Sequence, residues 1–316
     1  MKRPRAALIA AVLSVLLSAC AGRQAWYREA ELGDRALRHG RLPEAEAALS
    51  ASLKSAEAFG EDDPRLAAAL DAMGDLRAAQ GRPAQAETFY VRALAITEKA
   101  TGPDSAQTTA ALGYLAEARA AQGKTADAEK LLRRALAAAE KDPAGRAAEI
   151  ASREADLAAL ERTLGRDDLA EDAYKRALSV TEQASGPESR ATIDRLGDLA
   201  LFENDRGRFS DAEPLYRRSL ALKEKLLGPG NSEVDAARND LALFEESRGK
   251  TAEAEALFQK ALEDGERAHG PDSPRLVTTL NNYAHLLRRT GRAAQADALL
   301  GRAQAAERRR AAVEKK

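Results

Sequence analysis

The sequence is poor in the residues on which most enzyme and metal sites depend. It has one cysteine, three histidines and one tryptophan, and aromatic residues make up 4% of its length. A single cysteine excludes an intramolecular disulfide, and no two histidines stand at metal-ligand spacing. The net charge of −1 provides no basic field for nucleic acid. These absences predict a protein without catalytic activity, metal, cofactor or nucleic-acid partner.

The residues that are abundant favour helices. Alanine, leucine, arginine and glutamate dominate, whereas β-branched residues, which favour strands, are sparse. The composition therefore predicts an all-α fold.

Seven glycines recur at nearly constant intervals along the chain. The first interval is 41 residues and the next five are 42, and an alanine follows five residues after each glycine. The glycines are Gly40, Gly81, Gly123, Gly165, Gly207, Gly249 and Gly291. A fixed period of this length is typical of stacked repeats, in which each unit buries its apolar face against its neighbours.

Each period reads as two helices. Apolar residues at helical spacing precede the glycine, as in Leu280, Tyr283 and Leu286, and the glycine suits a left-handed helix end. After it, a small alanine, a large apolar residue and another small residue recur, as in Ala86, Tyr90 and Ala93. The periods are separated by Gly-Pro-Asp-Ser connectors, in which Asp or Ser is expected to cap the next helix. The third connector departs from this pattern, with alanine at 144, and we expect it to be tolerated.

These repeats resemble the tetratricopeptide repeat, whose small and aromatic positions are matched by Gly74, Ala86, Tyr90 and Ala93. The 42-residue period resembles the kinesin-light-chain subclass, with the strongest match at residues 279–284. The resemblance implies a right-handed superhelical solenoid of seven antiparallel helix pairs over residues 24–305, followed by a charged helical tail at 306–316. It also implies a groove, lined by the first helices, that binds a peptide or protein partner.

In the kinesin-light-chain pattern, an asparagine pair on the first helix faces the groove and bonds a peptide backbone. Asn281 and Asn282 match both positions, and Asn239 matches the first. The resemblance thus places a partner-binding site over repeats five to seven, lined by Asn239, Asn281, Asn282, His285 and Arg288. The alternative is that these are solvated polar positions. The earlier repeats have Ala30, Asp71, Gly113, Ala155 and Gly197 at the first position, which does not favour peptide binding by the N-terminal half.

The N-terminus has the pattern of a signal peptide. Three basic residues precede an uncharged stretch at 6–19, which is short for a membrane span. Leu17-Ser18-Ala19-Cys20 resembles the lipobox of bacterial lipoproteins. This resemblance implies a signal peptide at 1–19, a lipid-anchored N-terminus at 20–23 and lipid on Cys20. The alternative is an ordinary secretory signal with an incidental cysteine.

An aspartate directly after Cys20 would resemble an inner-membrane retention signal, but Ala21 and Gly22 follow instead. This favours a location at the inner leaflet of the outer membrane, facing the periplasm. Because helical pattern starts within a few residues, we expect the N-terminal end of the array to be held against the membrane. Trp26 and Tyr27 are expected to pack over the open end of the first repeat or, alternatively, to sit in the membrane interface. The three arginines at 308–310 are expected to form a polar cap, or a basic handle for anionic lipid or a partner.

The sequence therefore predicts a membrane-anchored scaffold that binds a peptide or protein partner in the bacterial envelope, for assembly or secretion. The alternative is a purely structural subunit of an envelope complex with no peptide-binding groove. An enzyme is a third possibility, for which no catalytic residue stands out.

Overall fold

The computed structural model describes residues 24–313, and within them every regular element is helical. The helices are α1 (24–38), α2 (Leu42–Glu57), α3 (Pro64–Ala79), α4 (Pro83–Thr101), α5 (Ala106–Ala120), α6 (Thr125–Ala139), α7 (Ala147–Thr163), α8 (Asp167–Ser185), α9 (Arg190–Asp205), α10 (Phe209–Leu227), α11 (Ser232–Ser247), α12 (Thr251–His269), α13 (Val277–Arg289) and α14 (Ala293–Val313). A 3-10 turn at Pro274–Leu276 precedes α13. The structure confirms the all-α fold.

The helices form seven consecutive pairs, and the described residues divide into two compact units, one up to residue 180 and the other from residue 181. The division falls within α8. In the first unit each helix from α2 to α6 packs against the next one along the chain, and in the second unit α9 to α13 do the same. This succession is the helix-pair stacking that the 42-residue period predicts.

The corner of each pair is built on the periodic glycine. All seven glycines have a positive φ, between 67° and 79°, which L side chains rarely adopt. After α3, for example, the amide of Arg82 donates to the carbonyl oxygen of Arg77 at 2.9 Å, and that of Gly81 donates to Ala78 at 2.9 Å. This paired bonding is the glycine-dependent helix end that the sequence predicts.

The connectors between pairs are capped as their sequences predict. Asp63, Ser105, Ser189 and Ser273 each accept a backbone hydrogen bond at the start of the next helix. The third connector lacks such a cap at Arg146, whose own side chain bridges the gap. Its guanidinium donates to the carbonyl oxygen of Asp104 at 2.7 Å and to Thr109 Oγ1 at 2.7 Å. The missing glycine is therefore replaced by a side-chain brace.

Small residues lie at the centre of each helix pair. Ala86, Ala128, Ala212 and Ala254 have no solvent exposure, and large side chains such as Phe258 fill the space beside them. This arrangement places one face of the first helix of each pair against its partner. The predicted binding residues lie on two of these first helices, and of them Asn281, His285 and Arg288 are exposed.

The two ends of the described chain differ in how their side chains are used. Trp26 packs edge-to-face on Phe59, with ring centroids 6.5 Å apart, whereas Tyr27 is exposed. At the other end Arg309 pairs with Asp272 at 2.7 Å. No described helix is long and apolar enough to span a bilayer.

Candidate functional site

The first helices of repeats six and seven, α11 and α13, carry the predicted site. Asn239 on α11 is only 5% exposed, and its amide donates to Thr279 Oγ1 and to the carbonyl oxygen of Asp235, both at 2.8 Å. Asn282 Nδ2 donates to Asn239 Oδ1 at 3.4 Å. The structure therefore brings Asn239 and Asn282 together, and it uses Asn239 to join α11 to α13.

The other predicted residues lie on α13 and point outward to different degrees. Asn281 and His285 are exposed one helical turn apart, and His285 Nδ1 lies 3.6 Å from Glu246 on α11. Arg288 is engaged by the second helix of its own repeat, since it bonds Asp297 on α14 at 2.7 Å. The five residues do not form one cluster, and their role in binding a partner stays a prediction.

A cleft of about 440 Å³ lies between α9 and α11, and none of the five predicted residues lines it. Its rim carries Leu201 and Leu243, which are 49% and 42% exposed and occupy equivalent positions in consecutive repeats. Lys223 and Asp240 also line it, and burial raises the pKa of Asp240 while Lys223 lowers it. The two leucines were missed from the sequence, although alignment of the repeats shows leucine where earlier repeats have Asp75 and Glu117.

The first unit has a corresponding cleft of about 370 Å³ between α5 and α7. Its wall includes Glu117 and Asp156, and burial raises the pKa of Glu117, as does the nearby charge of Asp156. Gly113 takes the position of the first asparagine here. A β-carbon at Gly113 would lie 1.7 Å from Nη1 of Arg153, so glycine lets the guanidinium lie against α5.

A third cleft, of about 740 Å³, lies between the second helices α6 and α8. Ala173 lines this cleft, and the equivalent position in four other repeats is a larger leucine: Leu131, Leu215, Leu257 and Leu299. Its charged side chains are paired with each other, since Arg176 contacts Glu154 at 2.9 Å and Arg133 contacts Glu161 at 3.3 Å. This cleft is therefore already neutralised.

The corners of successive repeats are joined by ion pairs with a constant spacing. In one repeat the glutamate follows the small alanine, and in the next repeat the basic residue follows the corner glycine. The two residues are 37 positions apart and contact each other. The pairs are Glu87–Lys124 at 2.6 Å, Glu129–Arg166 at 2.9 Å, Glu213–Lys250 at 2.9 Å and Glu255–Arg292 at 2.6 Å. Both members recur in the sequence, so the pairing is visible there once the period is known.

We expect Glu87→Gln to destabilise the first unit at neutral pH and to have little effect in acid. Glu87 accepts hydrogen bonds from Lys124, Gln122 and Arg119, which hold its pKa at about 2. Because the folded-state pKa is depressed, this stabilisation is present above about pH 4.5 and is lost as the pH falls towards 2. The expected loss at pH 7 is about 1 kcal/mol.

Urea unfolding followed by the fluorescence of Trp26, the only tryptophan, measures this change in the first unit. The matched control is Asp62→Asn. Asp62 pairs with Lys99, and both side chains are exposed, so this substitution should change the free energy of unfolding by less than about 0.5 kcal/mol. Equal effects of the two variants, or an effect of Glu87→Gln that persists at pH 2, would contradict the prediction.

Three carboxylates in the second unit lie as close together as the ligands of a metal ion, but neighbouring basic side chains already balance their negative charge. Oxygens of Glu213, Glu245 and Glu253 lie within 4.8 Å of one another. They are contacted by Arg217, which reaches Glu245 at 2.6 Å, and by Lys250 and Arg248. Since these side chains supply the compensating positive charge, the group belongs to the corner ion pairs.

The comparisons with known proteins agree with this architecture. A family model described as tetratricopeptide repeat matches residues 24–99, 73–141, 147–225 and 233–308. No curated protein matches the chain.

Three solved structures have similar folds. BtubC (BKLC) from P. vanneervenii is 23% identical, covers 73% of this chain and 91% of its own, and has a TM-score of 0.61. A putative kinesin light chain from Podosopora anserina with TPR-like repeats is 20% identical, with 63% and 94% covered and a TM-score of 0.55. A Rap protein complexed with Competence and Sporulation Factor is 16% identical, with 88% and 76% covered and a TM-score of 0.57. At these identities the likeness establishes the fold alone.

Proposed function

Because the chain belongs to the tetratricopeptide repeat family, we propose that it is a lipid-anchored scaffold of a bacterial envelope that binds a peptide or protein partner for assembly or secretion. The observation that carries this proposal is the pair of clefts between adjacent first helices, one in each unit. Arrays of this kind use such surfaces to hold extended partners. The Rap structure, solved with a bound factor, is one example of a similar fold in a complex.

The clefts suit a binding role better than a catalytic one. Leu201 and Leu243 offer exposed apolar contacts, and Tyr216 forms part of the same cleft. The carboxylate group that most resembles a metal site is neutralised by arginine and lysine. We therefore assign no reaction to this chain.

The anchor is proposed from the sequence, since residues 1–23 lie outside the described part of the chain. Lipid on Cys20 would hold the protein at the inner leaflet of the outer membrane, facing the periplasm. Helix α1 starts at residue 24, so the first repeat would lie close to that surface. Several acyl chains anchor a protein stably, whereas a single chain is marginal.

We expect Cys20→Ser to abolish acyl labelling and to release the protein from membranes. The measurement is metabolic labelling with an alkyne fatty acid, followed by separation of membrane and soluble fractions. Ser18→Ala is the matched control, because a small residue is kept before the cysteine and labelling should persist. A Cys20→Ser protein that is still labelled would overturn the anchor.

The scaffold role is tested separately by crosslinking in membranes that carry the native anchor, followed by capture of the protein. A specific partner that is lost in an Asn281→Ala, Asn282→Ala double variant with unchanged circular dichroism would support a groove over repeats five to seven. Capture that is unaffected by these substitutions would overturn that site. Absence of any crosslinked partner would overturn the scaffold.

A further inference from the structure

The cleft between α5 and α7 is apolar along most of its wall and acidic at its rim. Its small and apolar lining residues include Ala116, Ala120, Ala159 and Leu160. The two charged residues in its lining, Glu117 and Asp156, are both acids. A wall of small residues leaves room for an apolar side chain, while the rim favours positive charge beside it.

The acidic rim continues onto α3. Asp75 accepts a hydrogen bond from the hydroxyl of Tyr90 at 2.7 Å, and Oδ1 of Asp71 is shielded from water without a hydrogen-bond partner. Burial and the charge of Asp75 raise the pKa of Asp71 to about 7, and burial also raises the pKa of Asp75. These carboxylates therefore lie where positive charge would be favourable.

Arg153 supplies positive charge at this rim. It pairs with Asp156 at 3.0 Å, faces Gly113, and its charge acts to lower the pKa of Glu117. The neighbouring carboxylates of Asp71, Asp75 and Glu117 outnumber this guanidinium. The two other clefts, by contrast, have bases among their lining acids: Lys223 with Asp240 in one, and the Arg176–Glu154 and Arg133–Glu161 pairs in the other.

An exposed aromatic ring lies beside the same carboxylates. Tyr114 on α5 is 39% exposed and stacks on Tyr90, with ring centroids 5.8 Å apart. Because Tyr90 in turn donates its hydroxyl proton to Asp75, the stacked pair of rings joins Tyr114 to this carboxylate. A tyrosine face next to carboxylates is a favourable place for an ammonium or guanidinium group.

We infer that this acidic cleft, lined by Glu117 and Asp156 and flanked by Asp71, Asp75 and Tyr114, binds a partner segment in which lysine or arginine alternates with small apolar residues. The inference rests on the proposed scaffold function and adds the chemistry of the segment that is bound. The cation lies between the carboxylates and Tyr114, and the apolar residue enters the wall between α5 and α7. The cleft belongs to repeats two to four, in the half of the chain where the asparagine pattern does not favour peptide binding.

The test is a fluorescence-anisotropy titration of the full chain in detergent micelles with labelled peptides of the sequence Ala-Ala-Lys repeated four times. Peptides with glutamate or glutamine in place of lysine are the charge controls. We expect the lysine peptide to bind at least about tenfold more tightly than the other two and to weaken as salt is raised, because screening shortens the reach of these charges. Equal affinity for the three peptides would overturn the inference.

Variants then locate the binding. The Asp71→Asn, Glu117→Gln double variant should bind the lysine peptide about tenfold more weakly than the parent protein does. Asp240→Asn, which removes a carboxylate from the cleft of the second unit, is the matched control and should leave the affinity unchanged. Loss of binding in the control alone, or equal loss in both proteins, would overturn the assignment to this cleft.

The same double variant separates this inference from the scaffold proposal. If it still captures the crosslinked partner in membranes and binds the lysine peptide as the parent does, the acidic cleft is wrong and the scaffold stands. If no partner is captured by the parent protein, the scaffold fails, and the peptide titration still decides the chemistry of the cleft.

Discussion

Asp71→Asn is expected to stabilise the first unit by about 2–4 kcal/mol at pH 7.5. Burial and the neighbouring charge of Asp75 raise the pKa of Asp71 from 3.8 to about 7. Above pH 3.8 the unfolded chain loses this proton readily, whereas the folded protein keeps it until about pH 7. Stability therefore falls as the pH rises through this window, and an uncharged amide of the same shape removes that loss.

The gain should be largest at and above about pH 7 and should vanish below about pH 4, where the carboxyl is protonated in both states. Urea unfolding monitored through Trp26 fluorescence at pH 4 and pH 7.5 measures it. Glu57→Gln, an exposed acid on α2, controls for the change in net charge and should shift stability by less than about 0.5 kcal/mol. A gain of equal size at both pH values would contradict the assignment to the ionised carboxyl.

A stabilising substitution at this position also bears on function. Asp71→Asn could both stabilise the protein and lower its affinity for the lysine peptide. That result would mean that the charge of Asp71 serves binding at a cost in stability, as is common at functional sites. Stabilisation without any effect on the peptide would instead limit the role of Asp71 to packing.

Gly74→Ala is expected to destabilise the first unit by about 1–3 kcal/mol, although alanine is the better helix former. A β-carbon at Gly74 would lie 2.4 Å from Cε1 of Tyr90, whose ring is nearly fully buried. The ring cannot move away without breaking its hydrogen bond to Asp75 and its stacking on Tyr114. Near-ultraviolet circular dichroism should therefore change along with the urea midpoint.

Gly197→Ala provides the contrast, because the β-carbon that it would add in the middle of α9 meets no atom within 4 Å beyond the neighbouring backbone of its own helix. This substitution should stabilise the second unit by about 0.5–1 kcal/mol through helix propensity alone. Far-ultraviolet circular dichroism in urea follows both variants. Stability changes of the same sign at the two positions would show that contact with Tyr90 does not decide the outcome.

The parts of the fold that could be predicted from the sequence are those set by local backbone requirements. Gly81 must adopt a positive φ, and Ser105 must cap a helix, so each leaves its mark at its own position. The periodicity then extends those marks to every repeat. Arg146 was not predicted as a brace, because its partners Asp104 and Thr109 lie about 40 positions earlier.

The site was harder to predict because its chemistry depends on contacts between repeats. The resemblance selected Asn239 by position, but that position does not reveal its bond to Thr279 on the next first helix. The acidic cleft gathers Asp71, Asp75 and Glu117 from two helices, and none of these residues is unusual where it stands. Comparison of equivalent positions would have detected it, since one position changes from Asp75 and Glu117 to Leu201, Leu243 and His285.

The corner ion pairs have a consequence for how an array of this kind changes its length. Removal of one whole 42-residue repeat would bring Arg166 to the position of Lys124, and Glu87 would meet a basic residue as before. A deletion of any other length would move that residue along the helix and leave the carboxylate unpaired. The ion pairs can therefore form with any number of repeats, provided that each repeat keeps its length of 42 residues. Recombination between repeats could therefore lengthen or shorten the protein in whole units without new compensating substitutions at the corners.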